Sequence, residues 1–72
     1  MMLDLHGYTV HQGWQVFKEA VDNAKGKSLT VITGRGQMNR EFRTWAENHP
    51  KVKFCEEYPQ GGQWNVRLKK KS

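Results

Sequence analysis

Two segments with helical periodicity alternate with short segments typical of strands, and this alternation limits the fold more than any other feature. The first helical segment opens on a capping box, in which Thr9 and Gln12 exchange side chain–backbone hydrogen bonds. An apolar stripe follows at helical spacing: Val10, Trp14, Phe17, Val21 and Ala24. Gly26 stands where a glycine commonly follows a helix. The pattern predicts an amphipathic helix over residues 10–24.

The second helical segment lies between a glycine-containing loop and a proline. Asn39 is a favourable N-cap residue, and Pro50 restricts His49 to extended geometry, which ends the helix. Apolar residues at helical spacing predict its buried side: Met38, Phe42, Trp45 and Ala46. All three tryptophans of the chain, the third being Trp64, fall on core periodicities, so they are interpreted as packing residues.

Four further segments predict strands: residues 2–6, 29–33, 52–56 and 64–68. The second is rich in β-branched residues, and turn residues at 59–62 join the last two into a hairpin. The order is β-α-β-α-β-β, and right-handed crossovers would place both helices on one face of a four-stranded mixed sheet. We therefore predict one domain over residues 1–72 with an α/β two-layer sandwich fold.

The open face of this sheet is predicted to be polar and basic. Strand side chains alternate between faces, and the apolar set suits the helices: Leu3, Leu5, Val52, Phe54, Trp64, Val66 and Leu68. The other set would face outward: Asp4, His6, Lys53, Cys55, Asn65, Arg67 and Lys69. The net charge of +5 favours a polyanionic partner. Lys53, Arg67 and Lys69 would bind its phosphates, although an ordinary solvated sheet face fits the same pattern.

Asp4 and His6 are the candidate catalytic residues. They lie two residues apart on one strand face, about 6.5–7 Å along the backbone, so both side chains can reach one phosphate. Histidine exchanges protons near neutral pH, and the carboxylate can orient the imidazole. The alternative interpretation is a strand-end Asp and His engaged in surface hydrogen bonds.

Gly34, Arg35 and Gly36 form a candidate phosphate-binding loop between the second strand and the second helix. Glycines let backbone amides approach a phosphate closely, and a helix N-terminus favours anions. Arg35 adds a bidentate donor. A tight turn that needs glycine only for its conformation explains the same residues.

Other features bear on cofactors and on location. Cys55 is the single cysteine, which excludes an intrachain disulfide, and no Cys/His cluster has zinc-site spacing, so neither metal nor organic cofactor is expected. No apolar run reaches membrane-span length and no signal-peptide core follows Met1, so a cytoplasmic protein is expected. His11 and His49 are interpreted as surface residues. Tyr8 and Tyr58 are interpreted as packing residues, with base stacking as the alternative.

In their order and spacing these motifs resemble the Smr (small MutS-related) family. The resemblance rests on Leu-Asp-Leu-His-Gly at residues 3–7 and the helix after it, on Thr-Gly-Arg-Gly at residues 33–36, and on Gly61-Gly62 before residues 66–68. It implies the fold of the C-terminal domain of initiation factor 3, and a nuclease that nicks DNA or cleaves messenger RNA on stalled or collided ribosomes. It also implies that Asp4 and His6 are catalytic and that residues 34–36 bind substrate.

The chain departs from the family pattern in three respects. Family members usually carry this domain at the end of a longer chain with recruiting regions, which this sequence does not show, so delivery to a target is left unexplained. The residue between the two glycines is Arg35 where lysine is common. The loop from Gly36 to the second helix also looks short. Because arginine keeps the positive charge, phosphate binding is expected to persist.

The predicted reaction is metal-independent cleavage of RNA. One Asp and one His, with no second carboxylate nearby in sequence, favour acid–base chemistry over a two-metal site. The 2′-OH would attack, His6 would exchange the proton, Asp4 would orient His6, and Arg35 with the loop amides would stabilise the charge. RNA is therefore favoured over DNA, with the ribosome as a further partner. Two alternatives stay open: a non-catalytic nucleic-acid or ribosome-binding module that competes with full-length Smr proteins, and a protein-interaction domain with an acidic partner.

Overall fold

The computed structural model describes residues 2–69 and has the predicted order of elements. The elements are β1 (Met2–Asp4), α1 (Val10–Asn23), β2 (Ser28–Ile32), α2 (Gln37–Asn48), β3 (Val52–Glu57) and β4 (Gln63–Leu68). No helix within residues 2–69 is long and apolar enough to cross a membrane. The rest of the basic tail, residues 70–72, lies outside the described residues.

The four strands form one mixed sheet in the order β1-β2-β4-β3. β1 runs parallel to β2, while β4 is antiparallel to both β2 and β3. Each of the two parallel strands is followed by a helix, so α1 and α2 both begin beyond the carboxyl edge of the sheet. Such an edge is where open α/β sheets bind their ligands. The predicted α/β two-layer fold is confirmed.

One hydrophobic core fills the space between the sheet and the helices. Phe17 of α1 meets Phe42 of α2 edge to face, with ring centroids 4.9 Å apart, which is a favourable geometry. A Cβ at Gly13 would lie 2.5 Å from Cε of Met38. Gly13 is therefore unfavourable for helix propensity but lets α1 pack closely on the first turn of α2.

Helix α1 begins as predicted and ends earlier. The Thr9 hydroxyl accepts from the Gln12 N–H and the Gln12 side chain accepts from the Thr9 N–H, each at 3.2 Å. The helix stops at Asn23 with Ala24 as an extended C-cap, so the prediction that Gly26 terminates it is wrong. Trp14 is 37% exposed and lies under the Lys18 ammonium, 5.3 Å from its ring centroid. Its assignment as a core residue is therefore only partly right.

Helix α2 begins at Gln37, two residues before the predicted cap, and Gly36 is its N-cap. It ends where Pro50 predicted, with His49 as the C-cap. The prediction of His49 as a surface residue is wrong, since its side chain is 9% exposed and its Nε2 lies 3.2 Å from the Asp22 carboxylate. The C-cap residue of α2 therefore packs against α1, with its ring centroid 6.4 Å from that of Phe17.

A β-bulge in β3 makes the predicted sorting of Phe54 and Cys55 wrong. The pairing of β3 with β4 shifts register between Val52 and Phe54, and one extra residue reverses the alternation of faces beyond it. Cys55 consequently lies opposite Val66 and is buried in the core, whereas Phe54 lies opposite Arg67 and is 40% exposed. The open face therefore carries an aromatic ring where a cysteine was expected.

Candidate nucleic-acid-binding cleft

A cleft of about 510 Å³ opens at the carboxyl edge of the parallel strands, between the starts of α1 and α2. Its walls come from residues 5–10 after β1 and residues 33–38 after β2. His6 lines it together with Gly34, Arg35 and Gly36. The two motifs meet because their strands are parallel neighbours and end at the same edge.

His6 is exposed in this cleft, with its ring against Gly34. The preceding Leu5 is fully buried, and its N–H donates to the Ile32 carbonyl at 2.8 Å, which fixes the backbone just before His6. Gly34 has a φ of +73°, and a Cβ there would lie 3.0 Å from His6 Cδ2. Glycine at this position is therefore required both for the left-handed backbone and for room beside the imidazole.

Asp4 acts on the main chain of His6 rather than on its ring. The carboxylate Oδ1 of Asp4 accepts from the His6 backbone N–H at 2.9 Å. Asp4 does not line the cleft, whose walls within the described part of the chain come from residues 5–10 and 33–38. The structure thus brings His6, but not the Asp4 carboxylate, to the glycine loop, and the Asp4 side chain instead bonds to the main chain of the segment that carries His6.

The start of α2 presents a row of backbone donors to the cleft. Gly34 is not among them, because the N–H groups of Thr33 and Gly34 both donate to the Gly62 carbonyl, at 2.9 and 3.0 Å. The next four N–H groups, at residues 35–38, have no acceptor within residues 2–69, and the Gly36 N-cap has no side chain to supply one. Such a row at the positive end of a helix favours an anion.

Arg35 lies at the rim of the cleft, held by the turn between β3 and β4. Its Nη2 donates to the Gln60 carbonyl at 2.7 Å. Gly61 and Gly62 have φ values of +80° and +75°, and a Cβ at Gly62 would lie 3.3 Å from Arg35 Cγ and 3.2 Å from the Gly34 carbonyl carbon. The two turn glycines therefore allow the hairpin to press against the glycine loop, and the guanidinium is fixed at the rim.

Asn39 links the glycine loop, the hairpin and the core. Its Oδ1 accepts from the Trp64 indole N–H at 2.7 Å and from the Thr33 hydroxyl at 2.9 Å. Its Nδ2 donates to Glu57 Oε2 at 3.0 Å, and the same oxygen accepts from the Gly62 N–H at 3.1 Å. Because Trp64 is only 2% exposed, Asn39 satisfies a buried donor while it fixes the wall of the cleft.

Sequence reasoning missed this network by assigning Asn39 to a helix cap and Glu57 to no role. A signal was present, since Asn39 precedes Phe42 and Ala46 by three and seven residues and therefore lies on the buried stripe of α2. A polar side chain on a buried stripe needs hydrogen-bond partners. The identity of the partners depends on the hairpin, which is distant in sequence.

The three predicted phosphate-binding cations Lys53, Arg67 and Lys69 lie away from the cleft. Arg67 is opposite Ser28, the first residue of β2, whereas the cleft lies beyond the last residue of that strand. Five residues of strand correspond to about 17 Å. The structure does not bring these cations together with His6, so their binding of phosphate stays a prediction about another part of the surface.

Other side chains complete the description of the site. Tyr8 lines the cleft and is 46% exposed, so the prediction that it is a packing residue is wrong. Its ring is available for stacking. His11 is exposed on α1, as predicted. Across the described part of the chain, no three His, Cys, Asp or Glu side chains are grouped as metal ligands would be.

Cys55 lies in the core, away from the cleft. Burial raises the pKa of its thiol; the positive charge of Arg43 opposes this rise and the negative charge of Glu47 reinforces it.

Comparison with known proteins identifies the family. The family model of the Smr domain matches residues 3–67, which include both loops of the cleft. The chain belongs to the Smr family. The crystal structure of the Smr domain of MutS2 from Thermus thermophilus is similar with a TM-score of 0.87 at 20% sequence identity, over 96% of this chain and 98% of that chain. At this identity the likeness shows a shared fold. No curated protein matches the sequence significantly.

Membership of the Smr family indicates the general class of function of the domain. Smr domains are, as a family, nuclease or nucleic-acid-binding domains. A cleft with open amides, a guanidinium and an exposed imidazole is chemically suited to a phosphodiester, because the first two kinds of group bind anions and the third exchanges protons.

Proposed function

We propose that this Smr domain is an endonuclease that cleaves RNA in the cleft by metal-independent acid–base chemistry. The observation that supports the proposal is the position of His6, whose exposed imidazole shares one cleft with the four open amides at the start of α2. The imidazole can exchange a proton while the amides hold the phosphate. The groups gathered here are anion-binding donors rather than a cluster of carboxylates, which fits acid–base chemistry.

In this reaction the ribose 2′-oxygen attacks the adjacent phosphorus, and the bond from phosphorus to the 5′-oxygen breaks. His6 serves as the general base for the 2′-OH or as the general acid for the leaving oxygen. The N–H groups at residues 35–38 and the Arg35 guanidinium stabilise the non-bridging oxygens, on which negative charge grows in the transition state. The products are a 2′,3′-cyclic phosphate and a 5′-hydroxyl.

Asp4 contributes by positioning. Its carboxylate holds the N–H of His6, so its removal loosens the segment that places the imidazole. Asp4→Asn keeps an oxygen acceptor and is expected to retain most activity, whereas Asp4→Ala is expected to lower the cleavage rate. This differs from a carboxylate that bonds to the imidazole, for which the amide would be nearly as damaging as alanine.

The setting that we propose is the cytoplasm, with messenger RNA on ribosomes as the target. Cleavage assays on single-stranded RNA, on DNA of the same sequence and on stalled ribosomes test the proposal. We expect RNA to be cut in EDTA, with cyclic phosphate ends, and DNA to be left intact. Activity that EDTA abolishes and Mg²⁺ or Mn²⁺ restores contradicts the metal-free reaction, and DNA nicking contradicts the route through the 2′-OH.

The second candidate function is a non-catalytic module that binds RNA or ribosomal sites and competes with full-length Smr proteins. It is favoured by one observation: within residues 2–69 the His6 imidazole makes no hydrogen bond, so no hydrogen bond there fixes the orientation of its ring. A wild-type protein that binds RNA and leaves it uncut under all conditions supports this alternative.

A further inference from the structure

We propose that the open face of β3 and β4 around Phe54 is a second binding surface for single-stranded nucleic acid, separate from the cleft. This Phe54 surface consists of one aromatic ring and three cations: Phe54, Lys53, Arg67 and Lys69. The proposal rests on the proposed function only for the class of ligand. It does not depend on catalysis.

Phe54 is exposed because of the bulge in β3. The shift in register turns its ring to the face that the helices leave uncovered, where it is 40% exposed and lies opposite Arg67. Its neighbour Lys53 is exposed as well. An aromatic ring flanked by cations on an open sheet can stack on an unpaired base while the cations neutralise the adjoining phosphates.

The backbone brings the three cations together where β4 ends. Arg67 is opposite both Ser28 and Phe54. Lys53 lies at the bulge beside Phe54, and the Lys69 N–H donates to the Lys51 carbonyl at 2.9 Å. All three side chains are exposed, and in the part of the chain that the structure describes none of them forms an ion pair. Lys51 is not part of the surface, because its ammonium donates to the Asp22 carbonyl of α1 at 3.1 Å.

The helix dipoles do not account for this charge. Both helices end on this side of the molecule, and each C-terminus carries about half a negative elementary charge. Together they offset about one of the three cations. Glu56 lies on the same open face, opposite Asn65, and offsets one more. The Phe54 surface therefore keeps a net positive charge, and its three cations stand beside the exposed ring of Phe54.

The distance between the two sites sets the length of nucleic acid that can occupy both. Six residues along the strands, about 20 Å, and three inter-strand spacings, about 14 Å, separate His6 from Phe54 by about 25 Å. At about 3.4 Å per nucleotide along one strand, this is about seven nucleotides. An oligonucleotide of about 12 residues can reach both sites, whereas one of about three residues cannot.

Binding of a fluorescein-labelled single-stranded RNA of about 12 nucleotides, measured across a range of KCl concentrations, tests the surface. Phe54→Ala is expected to weaken binding about fivefold or more, and Phe54→Trp to retain it. The double variant Lys53→Gln/Arg67→Gln is expected to lower the slope of log K against log salt by about 1.4. Lys18→Gln/Arg40→Gln removes the same charge elsewhere and is the matched control. Thermal unfolding of each variant checks that it is folded.

Wild-type affinity in Phe54→Ala, or equal salt slopes in the two double variants, overturns the proposal. Binding to phosphatidylserine vesicles that is tighter than binding to RNA overturns it in favour of a membrane surface. All these readouts measure binding alone, so a wild-type protein that binds RNA without cutting it rejects the proposed reaction and leaves this surface standing. Where RNA is cut, Phe54→Ala should raise KM for the longer RNA and leave the rate on the shorter one unchanged.

Discussion

Replacing Asn39 by alanine is expected to destabilise the domain far more than a surface asparagine would. The change removes the acceptor of the buried Trp64 indole N–H, which now lies 2.7 Å from Asn39 Oδ1. Leaving a buried donor without a partner costs about 1–3 kcal/mol. The Thr33 hydroxyl also loses Asn39 as an acceptor, but it keeps the Gly34 carbonyl at 2.9 Å as an alternative, so this second loss adds little to the cost.

The net cost follows from these contacts. Alanine regains about 0.5 kcal/mol in helix propensity, which leaves a loss of about 1.5 kcal/mol of unfolding free energy. A chain of this length has about 4–11 kcal/mol in total, so the fraction lost is large. Thermal unfolding followed by tryptophan fluorescence should show a fall in Tm of about 6–12 °C.

Two further variants separate the explanation from a general effect of substitution in α2. Asn48→Ala removes a bond to the Thr44 carbonyl on the exposed face of the same helix and should leave Tm nearly unchanged. Asn39→Asp keeps the oxygen for Trp64 but places a second carboxylate where the amide now lies 3.0 Å from Glu57. Repulsion raises the pKa of a carboxyl in the folded state, and the associated stability is lost as pH rises through that value. Asn39→Asp should therefore be closer to the wild type at pH 4 than at pH 8.

An Asn39→Ala protein with the Tm of Asn48→Ala would refute the reasoning, because the Trp64 indole would then need no partner at this position.

The remaining predictions concern close packing and burial. Gly34→Ala should cost about 1–2 kcal/mol for the left-handed backbone and should slow RNA cleavage by crowding His6; unchanged unfolding and cleavage would contradict this. Gly13→Ala should change stability by less than about 1 kcal/mol, because gained helix propensity offsets the displacement of the Met38 terminus; a large fall in Tm would show that Met38 cannot move. Burial raises the pKa of Cys55, so folding favours the protonated thiol and its stabilising effect is lost as pH rises through the folded pKa. Stability should therefore fall more between pH 8 and pH 10 in the wild type than in Cys55→Val, and equal falls would contradict it.

Features with local causes could be predicted from the sequence. The capping box at Thr9 and Gln12, the helix end before Pro50 and the hairpin at residues 59–62 each depend on residues close together in the chain, and the structure confirms them. The structure also places His6 beside the glycine loop, as the predicted reaction requires. The order of strands that makes β1 and β2 neighbours was not predicted.

Features set by a distant partner could not be predicted. The bulge that exchanges Phe54 and Cys55 depends on how β3 aligns with β4, and alternation within β3 alone carries no trace of it. The contact of Asp4 has a local cause, yet it was also missed. A spacing of two residues at the end of the strand brings the Asp4 carboxylate to the His6 backbone N–H rather than to the His6 ring. The hydrogen-bond partners of Asn39 in the hairpin could not be predicted either, because they are distant from it in sequence.

The central claim is that His6 exchanges a proton in the reaction while the glycine loop holds the phosphate. Single-turnover cleavage of RNA in EDTA, measured beside RNA binding for wild type, His6→Ala and His11→Ala, tests it most directly. His11 is the matched control, since it is an exposed histidine on α1. His6→Ala should lower the rate by about 10²-fold or more with binding retained, while His11→Ala keeps both. Cleavage by His6→Ala at the wild-type rate would contradict the account.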